Sequence, residues 1–207
     1  MSAFEDAKSV EAASLLALRP FLEETQGRYV LTNKGAASKL IQETLGDILF
    51  NDRKGRLWSV EMKAERRWTG NLFLEVWSNR NLTDAENHSG RGSKAGWLVT
   101  TGADLLFWHF IDADKLVICN MLALKQWAFA TPGKRLSEPN ARGESVQLPG
   151  RIWDFEEKAQ KAYSQLNDTR GRIVPVSVLE REMQPPPKVR GVRQLTLSLI
   201  DATPDAA

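Results

Sequence analysis

In "GDILFNDRKGRLWSVEMKAE", residues 46–65, an aspartate opens one apolar run, and a glutamate and a lysine sit one residue apart inside the next. Successive side chains of a strand point to opposite faces, so Trp58, Val60, Met62 and Ala64 share one face, while Leu57, Ser59, Glu61, Lys63 and Glu65 share the other. Glu61 and Lys63 therefore project side by side. Asp47 begins the preceding run, and a hairpin around "NDRKG" sets it beside Glu61. Two carboxylates and an ammonium then converge. Adjacent carboxylates repel, and the usual relief is a hard divalent cation with oxygen ligands, typically Mg²⁺ retaining several waters. Such an ion polarises a phosphoryl oxygen and acidifies water, while a nearby lysine orients the nucleophile or offsets developing charge. Phosphodiester hydrolysis fits that set of tools. The plainer alternative is an amphipathic strand with an incidental Glu and Lys pair, since E-x-K arises by chance in many proteins.

The elements that must position these groups can be read in order. Apolar residues at helical spacing (Phe4, Ala7, Leu15, Leu18, Leu22) predict a long opening helix, kinked or ended near Pro20. "RYVLT" and "DILF" read as short strands with a short helix or turn, "GAASKLIQETL", between them. "RLWSVEMKAE" has the clearest period-2 alternation in the chain, and "NLFLEVWS" is a further strand. The polar stretch 79–94 is a surface loop. "AGWLVTTGA" suits a short helix, "DLLFWHFID" and "KLVICNM" two strands about a tight turn, and "LALKQWAFA" a helix ending before Pro132. A helix "IWDFEEKAQKAYSQL", a strand "RIVPVSVL" and a stiff extended linker "QPPPKVRG" complete the reading. A helix, three strands, then alternating helices and strands describe a mixed α/β domain with a central sheet. The expected organisation is one domain over 1–183, with a Pro-rich linker and tail over 184–207.

With 207 residues, 42% of them hydrophobic, the chain can bury one good core. A formal charge of +2 permits nucleic acid as a partner without demanding it. The acidic start lacks a secretion signal, and no apolar run approaches a membrane span, so a cytoplasmic protein is expected. Cys119 is the single cysteine and alternates with apolar neighbours, which predicts a buried structural thiol.

The arrangement resembles the PD-(D/E)XK nuclease superfamily, which includes restriction endonucleases and Holliday junction resolvases. That signature is an acid on one core strand, then an acid, any residue and a lysine on the next, here Asp47 followed by Glu61, Met62 and Lys63. Gly46 stands where proline is frequent. The resemblance covers roughly residues 1–130, and "TGNLFLEVWSN" and "GWLVTTGADLLFWHF" look like segments of phage and bacterial members. It implies a restriction-endonuclease-like mixed sheet flanked by helices, and Mg²⁺ or Mn²⁺ held by Asp47 and Glu61. It also implies a glutamate from the opening helix near the metal, with Glu11 favoured over Glu5; a solvated helix acid is the alternative. The activity implied is metal-dependent DNA endonuclease chemistry. The alternative function is a catalytically inactive nuclease-like fold that binds DNA or protein for a phage or mobile element. A homodimer is compatible with cutting both strands.

Glu75, inside the apolar "LFLEVW", is either a helper or further ligand of the same site or an acid on a solvated face. Ser59 and Glu65 share the Glu61 face in supporting roles. His109 reads as a strand residue with a satisfied ring. His88 lies in the polar loop, and no Cys/His cluster has zinc spacing. Residues 51–100 hold nine Lys or Arg against six Asp or Glu. Arg66, Arg67, Arg91 and Lys94 are the candidates to neutralise phosphates, and Trp68 or Trp77 to stack on an unpaired base. Burial of the tryptophans in the core is the alternative.

Overall fold

A computed structural model describes residues 3–23, 29–31, 45–52, 54–80, 94–130, 136–139, 145–148, 150–159 and 168–192. All but the last residue of the expected helix "GAASKLIQETL", most of the loop 79–94 with His88 and Arg91, and the tail strand "RQLTLSLI" lie outside them. The protein is mixed α/β, as the sequence predicts, and divides into two compact units. Unit 1 comprises residues 1–69, 101–123 and 183–207; unit 2 comprises 70–100 and 124–182.

Unit 1 carries a six-stranded sheet in the order β1 (Tyr29–Leu31), β2 (Ile48–Asn51), β3 (Leu57–Glu65), β6 (Leu105–Phe110), β7 (Lys115–Asn120) and β12 (Lys188–Gly191). All neighbours are antiparallel except β3 and β6, which run parallel. A parallel pair needs a long crossover, and here residues 70–100 of unit 2 supply it. The opening helix α1 (Ala3–Glu23) continues through Pro20. It packs Leu18, Phe21 and Leu22 onto the sheet face formed by Ile48, Phe50, Trp58, Val60, Met62, Leu105, Phe107, Leu116 and Ile118. Phe21 meets Phe50 edge-on with ring centroids 5.9 Å apart. The face predicted to be apolar on β3 is thus the one that α1 covers.

A buried polar link joins helix to sheet: Ser14 Oγ and His109 Nδ1 are 2.8 Å apart. His109 is the satisfied strand residue that the sequence suggests, and burial holds its pKa below the ordinary imidazole value. Cys119 is buried on β7, with its thiol pushed up to about 12 by burial, an inert structural cysteine.

The segment read as a linker is instead part of this sheet. Lys188–Gly191 pair with Lys115–Ile118, and Val192 joins the core. The alternation "KVRGV" carried that information, and the preceding prolines masked it.

Unit 2 contains an antiparallel sheet in the order β10 (Glu157–Ala159), β11 (Arg170–Pro175), β4 (Asn71–Asn79) and β5 (Lys94–Ala95). It also has a two-stranded ribbon, β8 (Leu136–Pro139) with β9 (Ser145–Leu148). The short helix α2 (Trp97–Thr100) follows β5, and α3 (Met121–Lys125) runs from unit 1 into a π-helical turn, Gln126–Ala130. Two expectations are corrected here. The first half of the helix predicted from Ile152 is a 3₁₀ turn, Arg151–Asp154, followed by β10, because Glu157 is drawn into pairing with Arg172; residues 160–166 of that expected helix lie outside the described residues. The strand predicted as "RIVPVSVL" stops at Pro175 and becomes α4 (Val176–Glu182), which buries Val176 and Leu179. Proline offers no N–H to continue the ladder.

Candidate functional site

β2 and β3 form the expected hairpin, with Ile48 opposite Val60, so the next position outward sets Asp47 against Glu61. Gly46 makes this possible. Its φ is +84°, and a Cβ there would stand 2.6 Å from the Val60 carbonyl oxygen, so the backbone approaches β3 more closely than any side chain allows. Asp47 N–H donates to Val60 O at 2.7 Å, and Met62 N–H donates to Asp47 Oδ2 at 2.7 Å. The aspartate is therefore fixed to β3 on both sides of Glu61. The glycine that departs from the resembled signature has its own steric reason.

Glu61 is 7% exposed and half-buried Lys63 lies beside it on the same face, with the ammonium donating to Glu61 Oε1. Thr101 Oγ1 donates to Glu61 Oε2 at 3.0 Å. Burial raises the Glu61 pKa, Lys63 pulls it back, and the Asp47 charge raises it again; the net direction is up. Further along the same face, burial raises the Glu65 carboxyl, partly offset by the Trp108 indole. Ser59 supports the near end: its N–H and Oγ–H both donate to Asp104 Oδ2 at 2.9 Å. Asp104 N–H returns a bond to Ser59 O at 2.9 Å, tying the start of β6 to β3.

Asp47, Glu61 and Lys63 are thus brought together, as the sequence predicts. The other expected members are found as follows. Glu11 is exposed on α1, whose buried positions among residues 9–23 are Val10, Ser14, Leu18, Phe21 and Leu22. The helical phase turns Ser14, not Glu11, toward the sheet. Glu75 belongs to unit 2, where Ser78 Oγ donates to its Oε1 at 2.7 Å and Trp97 N–H at 3.4 Å. Arg66 and Arg67 are exposed just beyond β3. Trp68 is half-buried: it meets Phe110 edge-on at 4.8 Å, and Lys115 Nζ lies 4.2 Å over its ring, so one face is already taken by a cation. Trp77 is buried, which is the core alternative. Lys94 is on β5 of unit 2. The sequence reading missed Thr101 and Asp104; the only signal was their place at the entrance to an apolar strand, with no indication of which strand it would join.

Among the described residues no group of three or more His, Cys, Asp or Glu side chains could hold a metal ion. The pair Asp47 and Glu61 suits a hard cation that keeps most of its waters and takes one or two carboxylates; it does not suit a cation needing an all-protein cage. No described helix is long and apolar enough to cross a membrane. Comparison of the chain with family models, with curated proteins and with solved structures finds no match.

Proposed function

We propose that the protein is a metal-dependent DNA nuclease of the PD-(D/E)XK type. The observation that carries this reading is the junction of β2 and β3, where Asp47 faces Glu61 and Lys63 shares the Glu61 face. Asp47 and Glu61 would hold Mg²⁺ or Mn²⁺. The ion, when bound, supplies Lewis-acid polarisation of a phosphate oxygen and acidifies water. Lys63 orients the attacking water and offsets charge developing on the phosphate. Arg66 and Arg67, both exposed, would neutralise flanking phosphates and make binding salt-dependent. Arg91 and Lys94 extend the same role from the sequence alone, and a homodimer would serve cleavage of both strands.

A second reading draws on one feature. Both Glu61 oxygens have protein partners, Lys63 and Thr101, as a closed structural network in an inactive DNA- or protein-binding module would have. Thermal unfolding with Mn²⁺ or with chelator separates the two. The nuclease reading expects Mn²⁺ at about a hundred times its Kd to stabilise the wild type by about 2.7 kcal/mol, and not Asp47→Asn or Glu61→Gln. An unchanged midpoint, with DNA bound equally well in chelator, would support the inactive module.

A further inference from the structure

Thr101 stands at the entrance to β6 and is 3% exposed. Its hydroxyl receives the Ala103 N–H at 3.3 Å and gives its own hydrogen to Glu61 Oε2 at 3.0 Å. A carboxylate oxygen accepts such a bond through its lone pairs. The opposite oxygen, Oε1, is held by Lys63 from β3 itself. One carboxylate is therefore gripped at both oxygens, by its own strand and by a residue 40 positions later. Asp104, three residues after Thr101, bonds Ser59 N–H and Oγ and so holds this turn against β3.

We propose that Thr101 is a positioning residue for divalent cation binding: it sets the plane of the Glu61 carboxylate relative to Asp47 before a cation arrives. The inference rests on the metal-site reading above and deepens it. Without the hydroxyl, Glu61 keeps its charge and its lysine but loses the constraint on its terminal torsion, and binding must then supply the order that the fold supplied. Partners that orient a ligand in this way typically matter about 10–100-fold in metal affinity.

The test is calorimetric titration of the folded full-length chain with Mn²⁺, with no DNA present. Thr101→Val keeps the side-chain volume without the hydroxyl, Thr101→Ala removes the hydroxyl without adding a methyl in its place, and Thr101→Ser restores it. Either hydroxyl-free variant that folds is sufficient. The expected result is binding at least about tenfold weaker in Thr101→Val and Thr101→Ala, with Thr101→Ser within about threefold of wild type. Wild-type affinity in a hydroxyl-free variant would overturn the inference and leave the metal site standing, as would Thr101→Ser binding as weakly as Thr101→Val. A wild type that binds no Mn²⁺, or binds it unchanged after Glu61→Gln, would overturn the metal-site reading itself and this inference with it.

Discussion

Glu61 of unit 1 and Glu157 of unit 2 are both strand carboxylates with cationic partners, and their surroundings drive them in opposite directions. Around Glu157, partial burial raises the pKa but is outweighed by the Arg172 hydrogen bond and the charges of Arg80, Arg172 and Arg170, so the net shift is down. Arg80 Nη1 lies 2.9 Å from Glu157 Oε1, and Arg172 Nη1 lies 3.1 Å from Oε2. Around Glu61, deeper burial is reinforced by a second carboxylate, Asp47, and Lys63 does not reverse it. Guanidinium forks in fixed geometry complete Glu157 as a structural joint. Two carboxylates with an ammonium instead make a place where a further positive charge is favourable. That difference, more than the mere presence of acids, separates a candidate cation site from an ion pair.

The comparison can be broken by neutralising each acid in turn. Glu157→Gln should cost about 2 kcal/mol in denaturant unfolding, less than a fully buried pair because the site is partly exposed. Its folded pKa is depressed, so its contribution is present above the ordinary value of 4.5 and is lost as pH falls through the folded value. The gap between wild type and Glu157→Gln should therefore close in acid. Glu61→Gln in chelator should leave the midpoint unchanged or raise it, because a buried charge beside Asp47 has gone. Equal losses in the two variants would erase the distinction.

Gly46→Ala sharpens it from the other side. A side chain at φ +84°, pressed on the Val60 carbonyl, should cost about 1–2 kcal/mol and move Asp47 away from Glu61. Mn²⁺ affinity should fall with stability, whereas Gly55→Ala, with φ +79° but nothing within 4 Å of its Cβ, should cost stability and leave the affinity unchanged. The smallest effect is expected on the opposite face of the sheet. Ser14→Ala should cost about 1 kcal/mol by removing the partner of His109, with no effect on metal affinity. His109 has a depressed pKa, so the unfolded chain takes up its proton first. Stability tied to the neutral ring is complete above the ordinary value of 6.5 and declines below it. A stability curve from pH 8 to 5 checks the sign.

Much of the site was legible because its parts are local. The β2–β3 hairpin needs only a turn and alternation, and those two signals alone put Asp47, Glu61 and Lys63 together. Thr101 and Asp104 were illegible because they reach β3 through the parallel pairing of β6, whose residues, His109 apart, are apolar on both faces and name no neighbour. Glu11 was misplaced because Ala12, Ala13 and Ala17 leave the helix face ambiguous; the burial of Ser14 against His109 settles it. β10 and β12 share a cause: a helix-rich composition hid one, and prolines hid the other, until long-range partners, β11 and β7, supplied their ladders.

The most direct measurement of the central claim is cleavage of labelled duplex, single-stranded, forked and four-way DNA in Mg²⁺, Mn²⁺ or chelator by wild type and Lys63→Ala. The account predicts metal-dependent cutting by the wild type, reduced by about 10²–10³-fold in the variant, with DNA binding retained. Cutting that survives Lys63→Ala, or DNA binding with no cutting in either metal, would contradict it.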